Sequence, residues 1–271
     1  MINFGEIIDK SRLYNFHTHT QYCDGRASME DFVIEAIKRN FIALGFSPHS
    51  PILIESPCNM NSCDVQSYFD EIKRLKIKYE GKIALYTSME IDYFDNWGPS
   101  NDYFSSLPLD YRIGSIHFIP SFENGDEYVD IDGDPEEFKR KMNTYFKNDI
   151  KGVVESYYTQ SLKMIEKGGF DIIGHFDKIG YNSDCFMNGI EHESWYEKLV
   201  RTTFDAIMDN HYIIEINTKA FGTSGRFFPN SRYFELIRQY NPMVLINSDT
   251  HFPHLIDSGR NDAIEILLNK K

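Results

Sequence analysis

Tyr14-Asn15-Phe16-His17-Thr18-His19 is a short apolar run that ends in two imidazoles, and the arrangement recurs along the chain. Phe41 to Phe46 leads through Ser47-Pro48 into His49, Arg112 to Ile116 into His117, and Phe170 to Gly174 into His175. Val244 to Asn247 leads into Ser248-Asp249-Thr250-His251, and Ile83 to Met89 ends in a carboxylate, Glu90. Each run reads as a buried strand. Six of the nine histidines therefore stand at or just beyond the end of one class of element. A parallel barrel that aims side chains at a common mouth produces this pattern, whereas scattered histidines would fall anywhere.

Between the strands the chain carries helical stretches, and strand–helix alternation favours a parallel sheet. An amphipathic helix is expected around Met29 to Arg39, with Ser28 as N-cap and Asp31 three residues on. Others are expected over Asp64 to Tyr79, near Tyr103, over Pro135 to Lys167, over Glu193 to Asn210 and over Ser231 to Tyr240. Gly222-Thr223-Ser224-Gly225 and the polar, acidic Pro120 to Asp134 read as loops. Asp130, Asp132 and Asp134 alternate as in a calcium loop, but Pro135 and Lys141 occupy positions that need Gly and Glu. Asp134-Pro135 is instead a helix cap followed by a first-turn proline. Seven strands account for the pattern, and the expectation is one α/β barrel-like domain over 1–271.

The composition narrows the function. A net charge of −13 argues against a nucleic-acid partner, because neutralising phosphates needs a basic surface. It leaves room for a small phosphate substrate, since bound cations invert the local field. No apolar run is long enough to span a membrane. Met1 to Arg12 holds no apolar leader and carries Glu6 and Asp9. Cys23, Cys58, Cys63 and Cys185 are too few and too irregular for a disulfide framework, and Cys58 with Cys63 lacks the second pair of a structural zinc site. A reduced, cytoplasmic protein is expected.

His17 and His19 share one side of a strand end, so both rings can reach one metal, and Asp249 with His251 offers a carboxylate and an imidazole at the same spacing. Glu90 on an apolar strand needs a partner or a cation, because buried glutamate is otherwise rare. Six imidazoles, two aspartates and a glutamate exceed the roughly four protein ligands of one zinc ion, so more than one metal is implied.

These motifs, in this order across almost the whole chain, resemble the polymerase and histidinol phosphatase (PHP) family. The marks are Phe16-His17-Thr18-His19 with Asp24-Gly25, His49, Glu90, Gly114-Ser115-Ile116-His117-Phe118, Gly174-His175-Phe176-Asp177 and Ser248-Asp249-Thr250-His251. The resemblance implies a distorted seven-stranded (β/α) TIM-like barrel with two to three divalent ions (zinc, manganese or iron) at the C-terminal ends of its strands. His17, His19, Glu90 and Asp249 would hold one ion. Glu90, His117 and His175 would hold a second, and Asp24, His49 and His251 a third. Asp24 stands where many members carry histidine, and the carboxylate fits the histidinol-phosphatase subgroup. Ser115 to Ile119, Val129 to Gly133, Tyr157-Tyr158 and Glu215 to Thr218 resemble that subgroup as well. His192, His211 and His254 match no motif.

Such a cluster suits hydrolysis of a phosphate monoester, which needs an in-line nucleophile and cations on the phosphoryl oxygens. Glu90, Asp249 and His251 are the expected catalytic groups, and Arg226, Lys219 and Lys178 the expected phosphate ligands. Asp92, Asp95 and Glu123 are available to meet an ammonium or imidazole on the substrate. L-histidinol phosphate is the expected substrate. Another small monoester or a nucleotide is the alternative, and a metal-stabilised module without turnover is the rival from another class.

Overall fold

Strands form where the apolar runs place them, each shorter than its run. In the computed structural model, residues 2–268 are described; Met1 and 269–271, parts of the domain expected over 1–271, lie outside them. The strands are β1 (Tyr14–Asn15), β2 (Ala43–Phe46), β3 (Ala84–Thr87), β4 (Glu90–Asp92), β5 (Ile113–Ser115), β6 (Phe118–Pro120), β7 (Tyr128–Asp130), β8 (Ile172–Ile173), β9 (Ile213–Asn217) and β10 (Val244–Asn247).

The strands pair in parallel as β1-β2-β3 and as β10-β9-β8-β5-β4, giving two sheets where one seven-stranded barrel was expected. Isolated parallel bridges link them: Thr18 with Thr250 joins the β1 and β10 edges, and His49, just beyond the central β2, pairs with Glu90 of β4. The run Ile83 to Met89 does not continue into Glu90 as one strand. The Tyr68 phenol sits between the carbonyls of Phe46 and Ser88, at 3.0 and 2.8 Å, and the chain steps there from β3 onto β4. That step turns Glu90 into the second sheet, opposite Ile113.

All four residues of β2 are buried, as both-face coverage by helices requires. Gly45 on β2 has a specific reason. A Cβ there would lie 2.0 Å from the Tyr111 hydroxyl, which instead donates to the Phe16 carbonyl and fixes the chain one residue before His17. At the other margin the Asn15 amide donates to Ser248 Oγ at 2.7 Å, and Asn247 Oδ1 accepts from the Phe16 N–H. Behind them the buried Arg260 donates to the carbonyls of Ile246 and Arg12 while lying over the rings of Tyr14 and Phe41.

Ser28 and Asp31 form the expected capping box at the start of the helix Met29–Lys38, and Asp134 accepts from the N–H groups of Glu136 and Glu137. The helix expected over Pro135 to Lys167 is two, Pro135–Tyr145 and Ile150–Lys167. Lys147 and Asn148 between them take positive φ, and Asp149 caps the second by accepting from Gly152. Phe221–Ser224, expected as part of a loop, closes a helical turn. The acidic stretch after His117 is partly an antiparallel hairpin, β6 against β7. Its alternation is only three residues long on each side, too short to register as strand in the sequence. Phe4–Lys10 and Ile179–Phe186 are helices that the sequence reading did not place. No described helix is long and apolar enough to cross a membrane, and all four cysteines are free.

Candidate metal centre

The chain ends its strands at one common face, and the nine expected donors converge there. Among the described residues, ligand atoms within 4.8 Å of one another come from His17, His19 and Asp249, from Glu90, His117 and His175, and from His19, Asp24, His49 and His251. His49, Asp92 and His117 form a further group.

Glu90 lies at the middle and is 1% exposed. Its Oε1 is 2.8 Å from His175 Nε2 and 3.6 Å from His117 Nε2, and accepts from the Ser115 hydroxyl at 2.7 Å. Its Oε2 faces His17 Nε2 at 3.2 Å, His49 Nδ1 at 3.1 Å and His19 Nε2 at 3.5 Å. The two oxygens thus serve two different sets of imidazoles. Gly174 makes this possible, because a Cβ there would press within 2.4 Å of Ser115 Oγ. Asp249 Oδ1 stands 2.9 Å from His19 Nε2, and Asp24 Oδ2 stands 3.1 Å from His251 Nε2.

Two carboxylates orient the rings. His17 Nδ1 meets Glu215 Oε1 at 2.7 Å, and His117 Nδ1 meets Asp92 Oδ1 at 2.7 Å. With those ring N–H groups donating outward, the Nε2 lone pairs are aimed at the cluster, the outer-shell arrangement common to metal-binding histidines. Glu215 is itself held by the amides of Asn217 and Asn247 and by the His175 backbone N–H. Sequence reading noticed Glu215 only as part of a resemblance and Asp92 only as a substrate contact. A buried carboxylate two residues beyond Glu90, on the same side of β4, was the available signal for Asp92.

His175 and Asp249 have φ of 27° and 46°, left-handed conformations that cost a non-glycine residue roughly 1–3 kcal/mol and gather at functional sites.

The donors fit divalent cations on one observation above all. His17 Nε2, His19 Nε2, His49 Nδ1, His175 Nδ1, Asp24 Oδ1, Glu90 Oε2 and Asp249 Oδ1 are buried without a well-aligned hydrogen bond, although several lie about 3 Å from one another across the cluster. A buried polar atom left unsatisfied costs about 1–3 kcal/mol. Seven together would rival the roughly 5–15 kcal/mol of stability that a whole domain has. All but His175 Nδ1, whose ring meets Glu90 with its other nitrogen, face shared centres, and the set matches the nitrogen and oxygen donors that hold zinc, manganese or iron.

Electrostatics agree. Burial works against ionisation of Glu90, yet His17, His117 and His49 hold its carboxyl well below the usual range. Burial likewise opposes the His17 cation, but Glu215, Glu90 and Asp249 push its pKa up to about 10; for His117, Asp92 and Glu90 overcome burial and give about 9. Without cations, protons stand in for metal charge. These folded-state values exceed the ordinary 6.5, so the stabilisation is fully present below pH 6.5 and is lost as the pH rises toward 9. Chelator-treated protein should therefore show a melting temperature that falls between pH 6.5 and 9. With a divalent ion added the trend should reverse, because proton competition for the imidazoles weakens. Thermal scans across that range check both signs.

A cavity of about 490 Å³ opens on the cluster, lined by Asp24, His49, Asp92, His117 and Asp249 on one side and by the β7 hairpin and Tyr145 on the other. Lys219 stands at its mouth, with Nζ 3.2 Å from His251 Nε2 and 3.7 Å from Asp249 Oδ1. Lys178 is buried with Nζ 3.1 Å from Asp132 Oδ2. Arg226 is not brought to the cavity. Its guanidinium pairs with both oxygens of Glu191 and with Asp177, because those buried carboxylates demand a cation. Asp92 is engaged with His117 and Asn59, Asp95 with Lys163 and Glu123 with Lys147. Neither Asp95 nor Glu123 lines the cavity. His192 and His211 are exposed.

Fold and site define the class: a parallel α/β domain with a multi-donor histidine–carboxylate centre at its strand ends. The PHP domain model matches residues 15–219, and the chain belongs to that family. A histidinol-phosphatase of Bacillus subtilis is 27% identical over 164 residues, a stretch covering 52% of this chain and 56% of that protein. A crystal structure from Listeria monocytogenes, described as a histidinol phosphatase, superposes with a TM-score of 0.81 at 19% identity, over 92% of this chain and 99% of that one. The histidinol phosphate phosphatase of Lactococcus lactis, complexed with zinc, L-histidinol and phosphate, gives 0.67 at 20% identity over 94% and 92% of the two chains. At these identities the structural likenesses speak for the fold.

Proposed function

We propose that this chain hydrolyses L-histidinol phosphate to L-histidinol and phosphate with two to three divalent ions bound, as a cytoplasmic enzyme of histidine biosynthesis. The observation that carries the reading is the set of buried donor atoms around Glu90 that lack a well-aligned hydrogen bond, joined to the family match and the histidinol-phosphatase relative. The two parallel sheets, linked by the Thr18–Thr250 and His49–Glu90 bridges, fit a distorted seven-unit barrel.

On this reading His17, His19, Glu90 and Asp249 would hold one ion, Glu90, His117 and His175 a second, and Asp24, His49 and His251 a third. Bound there, divalent ions supply Lewis acidity toward phosphoryl oxygens and lower the pKa of water. Glu90 spans two sites with its two oxygens. Glu215 and Asp92 fix the tautomers of His17 and His117. Lys219, at the mouth, is placed to meet a phosphate oxygen. Beyond it the cavity lining offers Phe118, Tyr128 and Tyr145 with Glu127, surfaces suited to a cationic, partly aromatic alcohol, while Asp130 is paired with Lys141 at 3.2 Å. A nucleic-acid substrate is disfavoured by the net charge of −13.

A screen of phosphate monoesters and a dinucleotide on metal-replete protein tests the reading. Turnover confined to the dinucleotide contradicts it, and no turnover of any ester would favour a binding module. Asp24→Asn bears on the third ion. Because Asp24 contacts only the His19, His49 and His251 side of the cluster, the substitution should lower bound metal by about one ion and reduce turnover less than loss of Glu90 does. Elemental analysis decides it: loss of all metal in folded Asp24→Asn contradicts the assignment.

A further inference from the structure

We infer that Asp132 is a positioning residue that holds the Lys178 ammonium toward the phosphate end of the cavity. The inference rests on the phosphate-ester reading above and concerns how the anion is held. Lys178 is buried, and among the described residues Asp132 Oδ2, at 3.1 Å, is the carboxylate oxygen paired with its Nζ. An ammonium has three donors, so this pairing leaves N–H directions for an anion. The Phe228 ring lies 5.0 Å beneath the same nitrogen and confines the side chain from the other side.

Both partners are held by the backbone around them, and the helix that starts after Lys178 reaches the Asp132 side through Asn182. The Lys178 backbone N–H donates to the His175 carbonyl at 2.8 Å, which ties the lysine to a donor histidine. The intervening Asp177 accepts from Tyr158, Tyr196, Arg226 and the Asn230 N–H. Arg226 therefore acts on the turn that carries Lys178. On the opposite wall, Ile131 N–H donates to the His117 carbonyl, and the Asn182 amide donates to the Ile131 carbonyl at 3.0 Å. The Asp132 N–H is held by Asp130 Oδ1 at 2.8 Å. Asp132 and Lys219 line the cavity, whereas Lys178 lies behind this wall and reaches it through Asp132. Asp132 feels the charges of Lys178, His117 and Lys219, while Lys178 feels Asp132, Asp249 and Glu90. The pair thus lies where the donor carboxylates and the cavity meet, and a carboxylate there sets where the lysine's charge is presented.

Inorganic phosphate is the probe, titrated calorimetrically and as a competitive inhibitor into the metal-replete full chain. Asp132→Asn should weaken phosphate binding roughly tenfold, the scale of one lost charge-assisted interaction, with metal content unchanged. Lys178→Met should weaken it at least as much, and the double variant no further than Lys178→Met alone. Asp132→Glu should restore part of the loss. A merely structural pair would change stability and leave phosphate binding alone, so unaltered binding in either single variant overturns the inference. So do losses that multiply in the double variant. If Asp132→Asn does not fold, Lys178→Met alone still decides, since unchanged phosphate binding in it overturns the proposal. Coupled phosphate binding without histidinol phosphate turnover would overturn the substrate reading and uphold this one.

Discussion

Glu90→Gln should lower turnover by roughly a thousandfold or more, a loss of several kcal/mol of transition-state stabilisation, on the scale of Lewis acid catalysis. The reason lies in the division of labour between its oxygens. Oε1 is turned to His175 and His117, and Oε2 to His17, His19 and His49. An amide presents one neutral acceptor and an NH2 group that would point its protons at one set of imidazoles or the other. It also removes the central negative charge of a buried cluster, which otherwise draws cations in. Bound metal should fall together with rate, and elemental analysis beside steady-state kinetics checks both. A folded Glu90→Gln protein with near-normal activity and full metal content would remove the bridging role.

Much of this centre was legible in the sequence because the signal was positional. His17, His49, His117, His175 and Asp249 follow apolar runs, and β-strands that end at a common face bring such residues together whatever lies between them. Helix starts were legible for a local reason, since Ser28 with Asp31 and Asp134 with Pro135 act over three residues. What the sequence hid depends on contacts distant along the chain. At the step that moves Glu90 from one sheet to the other, the carbonyls of Phe46 and Ser88 are met by the Tyr68 phenol, a residue of the preceding helix. The role of Arg226 depends on Asp177 and Glu191, 49 and 35 positions away. A loop arginine near a strand end reads as a phosphate ligand until buried carboxylates are seen to claim it. Glu215 and Asp92 were hidden for a related reason: an outer carboxylate is recognised by the ring nitrogen it touches, and no spacing rule encodes that.

Substrate choice is the second large effect. On the proposed reading, divalent ions and Lys219 would meet the phosphoryl group alike in every monoester, so discrimination must come from contacts to the alcohol, realised as differential binding of the transition state. The wall that would make those contacts carries Tyr128, Tyr145 and Glu127. A leaving group bearing an ammonium and an imidazole gains there, whereas a nitrophenolate, although an easier leaving group, carries no cation to use the Glu127 carboxylate. The most direct measurement is therefore kcat/KM on metal-replete protein for L-histidinol phosphate beside p-nitrophenyl phosphate. The account predicts about 10⁴ M⁻¹s⁻¹ or more for L-histidinol phosphate and a much smaller value for p-nitrophenyl phosphate; comparable efficiency on the two by folded, metal-loaded protein would contradict it.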